Sequence, residues 1–154
     1  MHLASNFTFV KGIGKDSKSE LLSFDTALCS AGIGNYNIVR VSSILPSKAV
    51  EKKSIEVFKG SVLYVAYATA TIYGAGKIAS AISVGIPQNP SEIGVIMEYS
   101  APNDRESVIE FSRKMVKQSM DYRGIVLKDI LSVGVEEIQK EQQYLTTFAG
   151  IVLW

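Results

Sequence analysis

The chain has 154 residues, of which 47% are hydrophobic and 20% are charged, and its net charge is +1. This length is typical of one domain, which we expect over residues 1–154, and the near-zero charge disfavours binding to nucleic acid or anionic lipid. The apolar stretches are too short for a membrane helix, and the N-terminus lacks the features of a signal peptide, so we expect a cytoplasmic protein without membrane association.

The chain contains a single histidine, His2, and a single cysteine, Cys29. We expect His2 to lie at a mobile end, and Cys29 to be a small core residue within a helix. A zinc site needs several such ligands, and a Ser-His-Asp triad needs a histidine base placed in the fold. These counts therefore disfavour a metal site, a disulfide framework and a serine-hydrolase triad.

The N-terminal part of the sequence predicts a strand followed by a helix. Residues 6–10 have the strand pattern, which Gly12 and Gly14 then interrupt. Residues 17–20, Ser-Lys-Ser-Glu, have the spacing of a capping box. This spacing predicts a helix over residues 19–31.

The middle of the chain predicts mostly strands. Residues 37–45 are expected to form one extended strand that ends at Pro46, and the charged residues 47–56 predict an exposed loop or an irregular edge. Three segments rich in Val, Ile, Tyr and Thr predict further strands, at residues 61–73, 78–86 and 93–100.

The C-terminal third predicts a second helix and two strands. A capping box at residues 103–106 begins a helix that Arg123 and Gly124 end. Alternation over residues 131–135 and the segment 144–154 predict the last strands. Two helices and about seven strands predict an α+β fold, which we expect as a layered αββα sandwich of antiparallel or mixed sheets. The small residues along the strands favour a homo-oligomer.

The most informative segment is residues 32–46, Gly-Ile-Gly-Asn-Tyr-Asn-Ile-Val-Arg-Val-Ser-Ser-Ile-Leu-Pro. It resembles the processing segment of pyruvoyl-dependent arginine decarboxylases. The resemblance extends upstream to residues 24–28 and downstream to residues 79–87, residues 96–99 and Trp154. Two adjacent serines alone would predict only a solvent-exposed turn, so the ordered set of motifs carries the resemblance.

The resemblance implies a precursor that cuts its own backbone between Ser42 and Ser43. The Ser43 hydroxyl attacks the Ser42 carbonyl and converts the peptide bond into an ester. Elimination and hydrolysis then leave a pyruvoyl group in place of Ser43. The products are a β chain, residues 1–42, and an α chain, residues 43–154. The cofactor is then this covalent pyruvoyl group, without pyridoxal phosphate and without a metal.

The resemblance also implies the roles of two further residues. The pyruvoyl group forms a Schiff base with L-arginine, and loss of CO2 leads to agmatine. Glu98 reprotonates the α-carbon, and it is expected to be partly buried in an apolar strand. Asn37 is expected to donate to the oxyanion that forms when Ser43 attacks.

Four residues are implied to bind the substrate. A carboxylate binds a planar guanidinium through two hydrogen bonds, so Asp25 is expected to select arginine. Leu21, one helical turn earlier, would contact the methylene stem of the substrate. Gly34 and Ser42 would offer backbone or terminal oxygens.

The positions of Asn37 and Ser43 bear on the oligomeric state. Along a straight strand the two residues are about 20 Å apart, so their side chains cannot meet. Either the strand bends sharply, or a neighbouring subunit supplies one of the two residues. The resemblance implies a trimer, or a dimer of trimers, with active sites between subunits.

Two alternatives remain open from the sequence. The first keeps the pyruvoyl chemistry but changes the substrate to another amino acid. The second is an uncleaved, non-catalytic homologue whose strands assemble an oligomer.

Overall fold

The computed structural model of the protein describes residues 3–154, which contain two helices and nine strands. The helices are α1 (Glu20–Ser30) and α2 (Arg105–Tyr122). The strands, in chain order, are β1 (Asn6–Asp16), β2 (Asn37–Arg40), β3 (Ile44–Leu45), β4 (Val50–Glu51), β5 (Val62–Tyr73), β6 (Gly76–Pro87), β7 (Gly94–Ala101), β8 (Leu127–Gln139) and β9 (Tyr144–Leu153). His2, which was expected at a mobile end, lies outside the described residues.

The strands form two sheets that share one core. Sheet A has the order β2-β5-β9-β1-β4 and is mixed, because the β1–β4 and β2–β5 pairs are parallel. Sheet B has the order β3-β7-β6-β8 and is antiparallel. Between them lies a core to which sheet A contributes Ala66 and Ile151 and sheet B contributes Ile82 and Ile96, all fully buried.

Each helix covers the outer side of one sheet. Ala27 of α1 is buried in one cluster with Phe148 of sheet A, whereas Val108 of α2 is buried with Ala81 of sheet B. The layers therefore follow the order α1, sheet A, sheet B, α2. The prediction of an α+β fold with two helices is confirmed.

The glycines of β1 allow α1 to approach closely. β1 continues to Asp16, so the predicted interruption of the strand at Gly12 and Gly14 is wrong. A Cβ atom at Gly12 would lie 2.2 Å from the carbonyl oxygen of Ala27, and one at Gly14 would lie 1.9 Å from that of Ser23. Glycine is therefore needed at these positions for helix packing and not for a turn.

The helix starts differ slightly from the predicted ones. Ser19 caps α1 in place of Ser17, and Asp104 caps α2 in place of Asn103. Each segment offers several side chains able to accept a backbone N–H, so the spacing alone does not select the cap. The predicted end of α2 is confirmed, since Gly124 follows the helix with a φ of 68°.

The buried face of α1 also differs from the prediction. Its buried residues are Ser23, Ala27 and Leu28, whereas Cys29 is exposed, so the predicted burial of Cys29 is wrong. The close approach to β1 selects the face of the helix that carries small side chains.

Within residues 3–154, neither helix has both the length and the apolar surface that crossing a bilayer requires.

The segment predicted as one strand, residues 37–45, is divided between the two sheets. β2 pairs with β5 in sheet A, whereas β3 pairs with β7 in sheet B. Residues 41–43 therefore cross from one sheet to the other. Residues 47–56, predicted as an exposed loop or an irregular edge, contain the short strand β4, which pairs with β1 at the edge of sheet A.

Candidate active site

Ser42 and Ser43 lie in the segment that crosses between the sheets. Before them, the N–H of Val41 donates to the carbonyl oxygen of Val65 in β5 at 3.1 Å, which continues the pairing with sheet A. After them, the carbonyl oxygen of Ser43 accepts the N–H of Ile96 in β7 at 2.8 Å, which begins the pairing with sheet B. Both ends of the bond predicted to be cut are thus held by regular strands.

A tight turn centres on Ser43. The N–H of Ile44 donates to the carbonyl oxygen of Ser42 at 3.1 Å, and a hydrogen bond between residues i and i+2 defines a γ-turn. This carbonyl is the one that the Ser43 hydroxyl is predicted to attack. Ser42 is exposed and Ser43 is half-buried, so the turn lies at the surface of the sandwich.

Glu98 lies on β7 close to this turn. It follows Ile96 by two residues, so both side chains point to the face of sheet B that packs on sheet A. Two residues correspond to about 7 Å along the strand, so Ser43, bonded to Ile96, has Glu98 as a near neighbour within one chain. The Glu98 side chain is 28% exposed, which agrees with the partial burial expected from the sequence.

The carboxylate of Glu98 pairs with Arg40, a residue that the sequence did not single out. Nη2 of Arg40 donates to Oε1 of Glu98 at 3.2 Å and to the carbonyl oxygen of Tyr67 at 3.1 Å. The guanidinium also lies 4.6 Å from the centroid of the Tyr67 ring. Because Arg40 belongs to β2, this ion pair joins the two sheets beside the crossing segment. A charged residue in an apolar strand just before Ser43 is the signal that could have identified it.

Asn37 does not come near Ser43 within one chain. β2 remains paired with β5 from Asn37 to Arg40, so the sharp bend comes only after Arg40. Asn37 is therefore about 10 Å from Arg40 along the strand, at the end remote from the turn. Its side-chain amide donates to the carbonyl oxygen of Gly60 at 2.8 Å. In the single chain, this amide binds the loop that precedes β5.

The other predicted substrate-binding residues lie on different elements. Asp25 and Leu21 lie one turn apart on the exposed side of α1, and Leu21 is 73% exposed. Gly34 lies in the turn between α1 and β2, where an added Cβ would be 2.5 Å from Sγ of Cys29.

A groove of about 380 Å³ lies beside Ser42. Its walls are formed by Leu3, Ala4, Val41, Ser42, Ile44, Pro46, Tyr64 and Leu153. Asp25, Leu21 and Gly34 are thus not among the described residues that line it. One chain does not bring the whole predicted site together.

The comparison with known proteins decides the family. The family model described as "Pyruvoyl-dependent arginine decarboxylase (PvlArgDC)" matches residues 6–154. The chain belongs to this family. The resemblance found in the processing segment is thereby confirmed over nearly the whole chain.

Curated relatives named pyruvoyl-dependent arginine decarboxylase agree with this assignment. The protein of Methanococcus vannielii is 34% identical over 151 residues, which cover 97% of this chain and 90% of the relative. That of Methanocaldococcus jannaschii is 33% identical over 153 residues, covering 99% of this chain and 91% of the relative. That of Methanopyrus kandleri is 30% identical over 154 residues, covering 100% of this chain and 99% of the relative.

A solved structure of pyruvoyl-dependent histidine decarboxylase at pH 8 aligns with a TM-score of 0.44 and 13% identity. The alignment covers 63% of this chain and 51% of that chain. This likeness is too weak to add to the family assignment, which rests on the family model and the curated relatives.

The crossing segment fits the pyruvoyl dependence of this family. Ser43 is the residue type from which a pyruvoyl group forms, and it lies in a turn outside the regular strands. The carbonyl oxygens on either side of the Ser43 Cα both accept backbone N–H groups, from Ile44 and Ile96. Within residues 3–154, no group of three or more His, Cys, Asp or Glu side chains is placed to hold a metal ion.

Proposed function

We propose that this protein is a self-processing decarboxylase that converts L-arginine to agmatine and CO2. The single domain of residues 1–154 is cut between Ser42 and Ser43 into a β chain, residues 1–42, and an α chain, residues 43–154. One observation carries the proposal. The bond to be cut lies in a γ-turn that crosses between the sheets, and Glu98 lies beside that turn.

The first reaction takes place within the chain. The Ser43 oxygen forms a bond to the Ser42 carbonyl carbon, the bond from that carbon to the Ser43 nitrogen breaks, and the nitrogen takes up a proton. The resulting ester loses the Ser42 carboxylate together with the α-proton of residue 43, and water then releases ammonia. The hydrogen bonds of Val41 to β5 and of Ser43 to β7 hold both new chain ends after the cut.

A pyruvoyl group at position 43 would supply a ketone that reacts with the substrate amine and a carbonyl that accepts the electrons left by departing CO2. The Glu98 carboxylate takes up a proton from the substrate ammonium group as the amine reacts, and it donates this proton to the α-carbon after CO2 has left. Arg40 holds the Glu98 carboxylate through the 3.2 Å ion pair, and Tyr67 holds Arg40 in turn. We assign Arg40 to positioning and Glu98 to catalysis.

The active site is completed by a second copy of the chain in a trimer or a dimer of trimers. Asn37 and Asp25 lie away from Ser43 in one chain, so a neighbouring chain is proposed to bring these residues, with Leu21 and Gly34, to the pyruvoyl group. Support comes from large apolar side chains exposed on α1, β2 and β5, which would be buried on assembly: Leu21 at 73%, Val39 at 45%, Val62 at 54% and Tyr64 at 39%.

Mass spectrometry of the denatured protein tests the cleavage. The wild type should give two fragments, of which the larger reacts with a carbonyl reagent because it begins with a ketone. Ser43→Ala should remain intact, whereas Ser42→Ala, which keeps the nucleophile, should still be cut. A wild-type chain that stays intact and does not react with the reagent would favour the non-catalytic alternative.

Substrate assays test the second half of the proposal. The cut protein should release agmatine and CO2 from L-arginine. Turnover of another amino acid in place of arginine would retain the pyruvoyl chemistry and overturn the proposed substrate.

A further inference from the structure

The geometry points to the backbone N–H of Ile44 as the donor that stabilises the oxyanion during self-cleavage. The inference rests on the proposed cut between Ser42 and Ser43, and it assigns a group that takes part in that cut. Ile44 follows the nucleophile directly, so the donor and the attacking hydroxyl belong to the same turn.

The hydrogen bond that supports this assignment already exists in the uncut chain. The N–H of Ile44 lies 3.1 Å, nitrogen to oxygen, from the Ser42 carbonyl. An oxyanion hole requires a preorganised donor about 2.7–3.1 Å from the position of the charged oxygen, which stays bonded to the Ser42 carbonyl carbon as that carbon becomes tetrahedral. The donor is thus present before the reaction begins.

The position of this N–H is fixed by β7. The carbonyl oxygen of Ser43 accepts the N–H of Ile96 at 2.8 Å, and Leu45 lies opposite Gly94 in the antiparallel ladder. The Leu45 side chain is only 3% exposed, so the core anchors the strand just after the turn. Ile44 is therefore held from both sides.

The charge that needs stabilisation forms on the Ser42 oxygen. As the Ser43 oxygen bonds to the Ser42 carbonyl carbon, the π electron pair of the carbonyl moves onto its oxygen. The pair returns when the bond to the Ser43 nitrogen breaks, and the proton of the hydroxyl ends on that nitrogen. The ester is an isomer of the peptide, so no co-reactant is needed. A donor on the oxygen lowers the barrier for both halves of this step.

The side chain of Asn37 is otherwise engaged in the single chain. Its amide donates to the carbonyl oxygen of Gly60 at 2.8 Å, and it lies at the far end of β2 from the turn. Ile44 thus supplies the donor within each chain.

Replacement of the amide by an ester tests the assignment. Cell-free synthesis can place the α-hydroxy analogue of isoleucine at position 44, which removes the N–H but keeps the side chain. Cleavage should slow by about 10²–10³-fold, the usual effect of losing one oxyanion donor.

The matched control carries the α-hydroxy analogue of leucine at position 45. It removes the backbone N–H of the neighbouring residue but leaves the Ile44 N–H in place. It should be cut within a few-fold of the wild-type rate. Equal slowing at both positions, or a wild-type rate for the position 44 analogue, would overturn the assignment. A wild type that is never cut would instead overturn the proposed function.

A second pair of variants can be made by ordinary expression. Ile44→Pro also lacks the N–H, and proline is tolerated at the first residue of an edge strand such as β3. Ile44→Val keeps the N–H. Both variants should first show the near-ultraviolet circular dichroism of the native protein. Slow cleavage of I44P together with a wild-type rate for I44V supports the assignment, and equal rates for the two variants contradict it.

Discussion

The guanidinium of Arg40 on β2 reaches the carboxylate of Glu98 on β7 at 3.2 Å and so joins the two sheets. The Arg40 side chain is 57% exposed, and ion pairs of this kind contribute about 0–1 kcal/mol to stability. Arg40 also contacts the carbonyl oxygen and the ring of Tyr67, and a stability contribution this small does not account for so many contacts. Together these contacts fix the direction of the Glu98 carboxylate.

Replacement of Arg40 by methionine should therefore affect turnover far more than folding. A misplacement of about 1 Å in a catalytic group can cost about 10²-fold in rate. We expect kcat for arginine to fall by about this factor in R40M, with unchanged self-cleavage and a loss of at most about 1 kcal/mol in unfolding free energy.

Arg40→Lys is the matched control, since it keeps the charge but loses the planar fork that bonds two oxygens at once. Its kcat should lie between those of the wild type and R40M. A wild-type kcat in R40M would show that Glu98 needs no such support.

Asp25 gives a test of substrate selection. If its carboxylate binds the guanidinium, Asp25→Asn removes a charge-assisted bond of about 1.5–3 kcal/mol, which corresponds to about 10–10²-fold in affinity. KM for arginine should rise accordingly, while the fraction of cut chain stays the same. Asp121→Asn, at an exposed carboxylate of α2, should leave KM unchanged. An unaltered KM in D25N would remove Asp25 from the site.

Gly14 gives a test of the packing of α1 on sheet A. Gly14→Ala places a Cβ 1.9 Å from the backbone carbonyl oxygen of Ser23, so the helix must shift. We expect a loss of about 1–3 kcal/mol in the free energy of unfolding by urea, measured in the uncut S43A background.

The control for Gly14 is Gly76→Ala. There the nearest atom is the flexible end of the Ile72 side chain, 3.0 Å from the added Cβ. Its cost should be smaller, and equal costs at the two positions would contradict the close helix approach.

The cap of α2 gives a pH-dependent prediction. The N–H of Ser107 donates to the Asp104 carboxylate at 2.7 Å, which lowers the pKa of Asp104 from its ordinary value of 3.8. The stabilisation that the ionised Asp104 carboxylate provides is therefore fully present when the pH is above that ordinary value. It is lost as the pH falls through the lower pKa of the folded state. Asp104→Asn keeps a capping side chain but does not titrate.

Urea unfolding of the wild type and D104N, both in the S43A background, isolates this effect. Between about pH 6 and about pH 3, the wild type should lose more stability than D104N. Parallel losses in the two proteins would show that the cap does not contribute through its charge.

The sequence predicted the strands and helices well where a local pattern determines them, and less well where two elements meet. Periodicity located α1, but only the packing of α1 on β1 explains Gly12 and Gly14. The run 37–45 has the pattern of one strand, but residues 41–43 turn between the sheets, and which sheet each half joins depends on partners distant in the sequence. The alternation of apolar and polar residues within one strand does not show which other strand it pairs with.

The residues of the candidate site were likewise predicted where a local motif marks them and missed where a contact between distant strands defines them. Ser43 and Glu98 were identified from the motifs of the chain, and the antiparallel register of β3 and β7 explains their proximity. Arg40 was missed although it is a charged residue in an apolar strand just before Ser43, because its partner Glu98 lies on a strand distant in the sequence. The separation of Asn37 from Ser43 followed from strand length alone, and the straight course of β2 agrees with that argument.

The crossing between the sheets has a consequence for the molecule after the proposed cut. In sheet A, β1 lies between β9 and β4, and β2 pairs with β5, so both strands from residues 1–42 are bonded to strands from residues 43–154. The two pieces are interleaved and cannot part without dismantling the sheet. Reassembly after denaturation then requires two molecules to meet, so the melting temperature of the cut form should depend on protein concentration, as it does for an obligate heterodimer. In the uncut S43A protein, each chain should form its two sheets by first-order kinetics before subunits associate, so one backbone bond sets the molecularity of this step.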